Sequence, residues 1–301
     1  MIGEYHHLAH NNHVIDRINK DINPFYGDPK EYYLELAKDW EDPYGTPDVR
    51  THDNVRVVRD DSLVGSKVRG GDCLISSLPD HIDTIVYVQP RTGLAGVSIL
   101  DVAKRHGKEV MLFMPSSKRI SDHQACCIER GARTSFHRIA AMPNLNLIAK
   151  KWADERKNAF FVPLGLKHEM VTAGIVKTAS KIREPEEVYT ATSTGVLTRA
   201  LQIAWPNAKF TSVCVSRNMK AGELGIAEAV SEPLAFTAAE KKDNLPPFPT
   251  IDTYDGKVWK YIPKDTGRDI LFWNVGKEPV LQNQGLPDTI DSYRDWEKNV
   301  A

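Results

Sequence analysis

Along the chain, short apolar runs rich in β-branched residues alternate with stretches whose apolar positions recur at helical spacing, and glycines stand at many of the joints. The spacing predicts a strand over 83–88, a helix over 93–106 and a strand over 109–114, which together make a βαβ unit. The alternation continues with a helix over 118–130, a turn at Gly131 and Ala132, a helix over 144–156, a strand over 159–162 and a helix over 168–182. A second series then opens with a strand over 187–191, a turn at Gly195, a helix to about residue 203 and a strand over 209–215. Two successive series imply an α/β protein of two lobes, each a mostly parallel sheet flanked by helices. The expected partition sets residues 1–85 and 184–301 in a larger domain and 86–183 in a smaller one.

The flanks are less regular. Residues 1–55 are rich in Tyr, Trp, Pro and Asp, with one helix near 29–40, and read as an arm on the main body. Residues 235–265, with Pro246, Pro247 and Pro249, read as a loop-rich connection before a strand over 269–273 and a terminal helix near 288–298.

Composition narrows the class. With 39 basic against 40 acidic residues in 301, the net charge of −1 sets up no global field for nucleic acid or anionic lipid. Cys73, Cys126, Cys127 and Cys214 form no CxxC pair and read as free thiols. Glu4 and His6 stand where a signal peptide needs apolar residues, and the longest apolar runs are too short to span a bilayer, so a cytoplasmic protein without membrane partners is expected. His6, His7, His10 and His13 have helical-face spacing, but no carboxylate or cysteine joins them at ligand spacing, so no metal site is expected. Sequences diagnostic of a nucleotide P-loop, a dinucleotide fingerprint, a serine-hydrolase elbow or a zincin do not occur.

Three segments carry candidate chemistry. In the first, Arg59-Asp60-Asp61 is followed by Gly65-Ser66-Lys67-Val68-Arg69, which sets a lysine between a small-residue turn and a helix-like run. The second is Gln89-Pro90-Arg91-Thr92-Gly93-Leu94-Ala95-Gly96, ahead of a helix and a strand ending in Met114-Pro115. The third is Thr192-Ser193-Thr194-Gly195-Val196-Leu197-Thr198, a strand entering a helix through small hydroxyl residues. Such a turn aims backbone N–H groups and the helix dipole at an anion, and it equally suits a plain structural N-cap. Arg91 likewise has two readings, a planar cation for a carboxylate or phosphate and a surface arginine at an ordinary turn.

Together these segments resemble the tryptophan-synthase-like (fold type II) enzymes dependent on pyridoxal 5'-phosphate (PLP). The resemblance is greatest to the aminocyclopropane-carboxylate deaminase and D-cysteine desulfhydrase branch. It covers about residues 46–280 and includes Phe161-Val162-Pro163-Leu164-Gly165 and the strand at 270–276. It implies that Lys67 carries the cofactor as a Schiff base and, once substrate displaces it, acts as the base at Cα. It further implies that Arg91, Ser193, Thr194, Gly195, Val196, Leu197, Thr198 and Asn274 meet the cofactor. Gln89, Arg91, Thr92, Gly93, Tyr254 and Tyr261 are the residues it implies for substrate. The loop departs from the family pattern, since Gln89, Pro90 and Arg91 stand where relatives have Ser, Gly and Asn. Asn274 falls where relatives place a threonine facing the ring nitrogen. An amide there makes a weaker electron sink than a carboxylate and favours elimination or replacement at Cβ.

The expected activity is a lyase or deaminase reaction on an amino acid, by a homodimer as in relatives. The altered loop adds an alternative, an amino acid conjugated to a larger molecule such as a modified nucleobase, the only route by which nucleic acid enters. A non-catalytic binding protein that kept the fold, and a nucleotide-binding enzyme built on the same βαβ pattern, remain competing readings.

Overall fold

The computed structural model describes residues 28–138, 141–219, 222–282, 285–286 and 288–294. The histidines at 6–13 and the end of the expected terminal helix lie outside the described residues. In chain order the strands are β1 (Val49–His52), β2 (Val55–Arg59), β3 (Thr84–Val88), β4 (Glu109–Pro115), β5 (Arg133–His137), β6 (Ala159–Phe161), β7 (Glu187–Thr192), β8 (Lys209–Cys214), β9 (Glu228–Ser231) and β10 (Ile270–Asn274). The helices are α1 (Pro29–Leu36), α2 (Lys67–Ser76), α3 (Ala95–Arg105), α4 (Asp122–Glu129), α5 (Met142–Asp154), α6 (Glu169–Ala179) and α7 (Val196–Ala204). Short 3₁₀ helices run over Asp60–Ser62, Lys242–Asn244 and Asp255–Tyr261.

The chain forms two compact units, Met1–Leu74 with Lys167–Glu278, and Ile75–Leu166 with Pro279–Ala301. In the first, the sheet order is β1-β2-β10-β7-β8-β9, antiparallel only between β1 and β2. Val55, Val57, Tyr189, Ala191, Val213, Ile270 and Phe272 alternate along their strands onto one face, where they pack with Phe248, Val258, Trp259 and Ile262. Residues 235–265 are thus not merely a connection. Their aromatic and branched side chains cover this face, and the 3₁₀ helix Asp255–Tyr261 brings Val258 and Trp259 onto it.

Two differences from expectation concern the first unit. Residues 49–55, read as part of an arm, belong to the sheet. Asp53 and Asn54 both take left-handed φ, +46° and +62°, as a two-residue hairpin turn requires, and short polar side chains tolerate that conformation. The second difference is α6, expected in the smaller lobe and found in the larger unit. A Cβ on Gly70 would lie 2.7 Å from Val171 O, and one on Gly174 would lie 2.7 Å from Cys73 Cβ and 3.1 Å from Gly70 Cα. Helices α2 and α6 therefore meet closely through glycines, and α6 also packs on α1 and α7, all within the first unit, which resumes at Lys167.

Within the first unit, four buried hydroxyls fasten the start of α7 to the sheet. Thr190 Oγ1 donates to Ser212 Oγ at 3.2 Å, Ser212 and Thr192 lie 2.5 Å apart, Thr192 and Thr198 2.9 Å, and Thr198 and Thr190 2.8 Å. The closed ring lets each group donate once and accept once, so none need be left unsatisfied away from water.

The second unit is an all-parallel sheet in the order β5-β4-β3-β6. Strands β3 and β4 are apolar runs because both their faces are covered. On one face Val86, Val88, Met111 and Phe113 pack against Leu145, Ala149 and Ala153 of α5, which recur at helical spacing. Ile290 and Tyr293 join Ile120, Ala125 and Ile128 in a separate cluster, so these two residues pack within this unit, where the expected partition set them in the larger domain. No helix among the described residues is long and apolar enough to cross a membrane.

Candidate functional site in the first unit

The segment that presents Lys67 is held by buried charge. Arg69, 3% exposed, donates from Nε and Nη2 to Asp60 Oδ1, both at 3.1 Å, and from Nη1 to Asp42 Oδ2 at 2.5 Å and Gly45 O at 2.8 Å. The other Asp60 oxygen accepts the Trp273 indole N–H at 2.9 Å. Burial pushes the Asp60 carboxyl up from its ordinary range, against the pull of Arg69 and Trp273. Beside it, Asp61 takes a two-pronged ion pair from Arg59, at 2.7 and 2.8 Å, and the amide of Asn274 at 2.8 Å. The Arg59-Asp60-Asp61 triplet thus ties the turn after β2 to the end of β10.

Lys67 opens α2 directly after this turn. Its neighbour Ser66 donates its N–H to Val275 O at 2.8 Å. Lys67 is half-buried, and among the described residues its ammonium has no hydrogen-bond or ion-pair partner. Desolvation holds its pKa below the usual lysine range, and the carboxylate of Asp255 opposes that shift. Asp255 is fully buried. It accepts Ile251 N on Oδ1 at 2.9 Å, and Val275 N and Gly276 N on Oδ2 at 2.8 and 3.3 Å. Burial raises its pKa to about 7 despite those bonds. The sequence reading missed Asp255; its only signal is an acid set between Ile251 and the buried pair Val258-Trp259.

The other expected residues of this unit fall around the same edge. Strands β2, β10 and β7 run parallel side by side, so the turn before Lys67, the segment 274–276 and the 193–196 turn all follow carboxyl ends of adjacent strands. Ligands of open parallel sheets characteristically bind at that edge. Gly195 caps α7 with φ +75°, and Ser193 and Thr194 remain half-buried. Leu197 is half-buried in the first turn of α7, and Val196 is buried. Thr198 is elsewhere engaged: its hydroxyl closes the ring with Thr190 and Thr192 and faces the sheet. The Tyr254 hydroxyl donates to Ala191 O at 3.4 Å, next to the turn. Tyr261 is held farther along, its hydroxyl on Glu232 Oε2 at 3.1 Å. Asn274 spends its Nδ2 on Asp61 and Pro249 O, and its buried Oδ1 has no partner.

Gln89, Arg91, Thr92 and Gly93 lie in the second unit, after β3. Gln89 is fully buried and braces its own loop: Nε2 donates to Pro90 O and Gly93 O at 2.8 and 2.9 Å, and Oε1 accepts Gly96 N at 2.8 Å. That wiring spends both amide hydrogens and one lone pair of the carbonyl inside the loop. Arg91 donates to Arg119 O at 2.7 Å, and Thr92 and Gly93 are half-buried.

No family model matches the chain, and no curated protein matches it. Solved structures do. An ACC deaminase homologue is 16% identical with a TM-score of 0.66, over 81% of this chain and 94% of that one. The processed form of threonine deaminase isoform 2 from Solanum lycopersicum is 13% identical with a TM-score of 0.64, over 84% and 90%. A pyridoxal 5'-phosphate-dependent aspartate racemase is 11% identical with a TM-score of 0.57, over 85% and 97%. The architecture is that of the fold type II class of PLP-dependent enzymes.

Two outcomes are expected. Replacing Arg69 by Met leaves two buried carboxylates without their cation and lowers the unfolding free energy by about 3–5 kcal/mol, measured by denaturant titration; a loss within about 1 kcal/mol would show that the pair is dispensable. Replacing Asp255 by Asn removes the charge that raises the Lys67 pKa, so the pH midpoint for reductive trapping of Lys67 by a small aldehyde moves down. An upward or absent shift contradicts the coupling.

Proposed function

We propose that the protein is a PLP-dependent enzyme acting on an amino acid, with Lys67 as the amine that holds the cofactor and afterwards moves the α-proton. A lyase or deaminase reaction is the class we favour. The observation that carries this reading is the Lys67 amine itself, unpartnered, half-buried and disfavoured as an ammonium at the carboxyl edge of a parallel sheet. A lysine of that kind reaches the neutral state that nucleophilic chemistry needs.

The residues present fit the cofactor. The buried, unpartnered Asn274 Oδ1 offers an acceptor to a ring group, and the Gly195-capped start of α7 offers an anion site to a phosphate. PLP, when bound, supplies an aldehyde that condenses with primary amines and a ring that withdraws electrons from the α-carbon of the substrate. Ser193, Thr194 and Gly195 would bind the phosphate, and Asn274 the ring. Lys67 Nζ, neutral after release, takes the proton from substrate Cα. Asp255 tunes that amine: its charge limits how far desolvation lowers the Lys67 pKa, keeping the group able to hold the proton it has removed. The same carboxylate alters the expectation drawn from Asn274 alone. A weak electron sink follows from an amide environment, whereas here a buried acid borders the backbone of Val275 and Gly276.

The deaminase and racemase among the structural neighbours support amino acids as the substrate class. Added PLP is expected to give the protein a visible absorbance band that shifts with a subset of free amino acids and accompanies release of ammonia or of a β-substituent. Lys67→Ala is expected to slow that turnover by at least about 10²-fold. A band without turnover of any amino acid would favour a binding protein, and full turnover by the Lys67→Ala variant would end the proposal.

A further inference from the structure

Arg199 is a buried guanidinium to which, among the described residues, no carboxylate is hydrogen-bonded; burial lowers its pKa, and the charge of Glu223 opposes that only in part. It lies in the first turn of α7 and is 3% exposed. Nη1 donates to Glu223 O, Nη2 donates to Thr194 O at 3.4 Å, and Nε has no acceptor. The carboxylate of Glu223 is taken by Arg217, whose two terminal nitrogens reach its two oxygens at 2.7 and 2.8 Å. A guanidinium withdrawn from water is strongly disfavoured unless something negative completes its surroundings.

Its position says where that anion belongs. A Cβ on Gly195 would lie 2.5 Å from Arg199 Nη1 and 2.7 Å from Glu223 O, so the guanidinium is pressed against the residue that caps α7. A second cation, Lys167, stands just before α6, the helix that packs against α7. Lys167 is half-buried and has no partner among the described residues. Its ammonium is disfavoured by desolvation and then by Arg199. Arg199, Lys167 and Arg217 are three cations against the one carboxylate of Glu223, which accepts hydrogen bonds from Arg217 and also pulls on the other two, so the cluster keeps a net positive charge of two beside a helix N-terminus.

We infer that Arg199, with Lys167, supplies the fixed counter-charge for a dianionic phosphate monoester held at the 193–196 turn, and so selects the phosphorylated form of its ligand. The inference rests on PLP being that ligand. A carboxylate leaves one cation unmatched, whereas a phosphate monoester, carrying close to two negative charges at neutral pH, matches both. The turn contains a single glycine, and side-chain charge here does what backbone N–H groups do where a loop is glycine-rich. Arg199 acts through the turn it clamps and is a positioning residue; it is not placed on reacting atoms.

The test compares PLP with pyridoxal, which lacks the phosphate, as ligands of the cofactor-free protein, and measures the stabilisation of that protein by inorganic phosphate in thermal melts. The wild type should prefer PLP, and phosphate should raise its Tm in a salt-sensitive way. Arg199→Gln should cut the PLP-over-pyridoxal preference by about tenfold or more with pyridoxal affinity unchanged, and Arg199→Lys should restore most of it. Lys167→Met, at a half-buried position, should show a smaller fall and a weaker phosphate effect, and it decides the matter if Arg199→Gln does not fold. Variants that keep the wild-type preference and the wild-type phosphate response would overturn the inference, reducing Arg199 to a backbone clamp. Should the wild type take neither aldehyde, the cofactor reading fails separately. The phosphate melts then judge the anion site alone, and the absence of any rise in Tm overturns it.

Discussion

The ion pairs of Arg69 with Asp60 and Asp42 are the constraint on which the first unit turns. Three charged groups are taken out of water together, and burial pushes one of the carboxyls toward protonation even with a guanidinium on it. Such a cluster adds little net stability over an apolar core of equal volume, but removing one member is costly, so its value lies in specifying one arrangement. What it specifies here is the path from β2 into α2. Asp60 reaches the Trp273 indole of β10, Asp61 reaches Asn274, and Asp42 also accepts the hydroxyl of Thr178 in α6. One cluster therefore fixes a turn, a strand end and a helix against each other.

Helix geometry converts that anchoring into a reactive position. Residues two apart on an α-helix differ by about 200° around its axis. Arg69 directs its charge into the buried carboxylates, and Lys67 leaves α2 on another side, where those carboxylates are already spoken for. The carboxylate that acts on Lys67 is instead Asp255, itself immobilised by three backbone N–H groups. A free amine in a desolvated setting is unfavourable for folding, and the surrounding bonds hold it there, as is common where function and stability pull apart.

Much of this was legible in the sequence. The apolar runs at β3, β4, β7 and β8 and the periodic stretches at α3, α5 and α7 gave the two-series α/β architecture, because parallel strands covered on both faces leave an unmistakable pattern. Lys67 was singled out through the resemblance of its segment to the fold type II enzymes, since its setting alone suits a surface turn. Illegible features depend on pairings between distant positions. The hairpin β1–β2 is only four and five residues per strand and alternates poorly. The seat of α6 depends on its packing against α1 and α7 and on a close approach of Gly70 and Gly174, which no periodicity announces. That the Gln89 amide closes its own loop and that the Thr198 hydroxyl joins a ring with the sheet are likewise contacts no local pattern announces. Asp255 and Arg199 escaped because an acid in a loop and an arginine in a helix are ordinary until burial is known.

The central claim is that one lysine out of the many in this chain is held as a reactive amine. Borohydride reduction of the protein equilibrated with PLP, followed by proteolysis and mass mapping of the modified peptide, tests it most directly. The account predicts a single dominant label on Lys67; a label on Lys167, Lys257 or scattered surface lysines, with Lys67 unmodified, would contradict it.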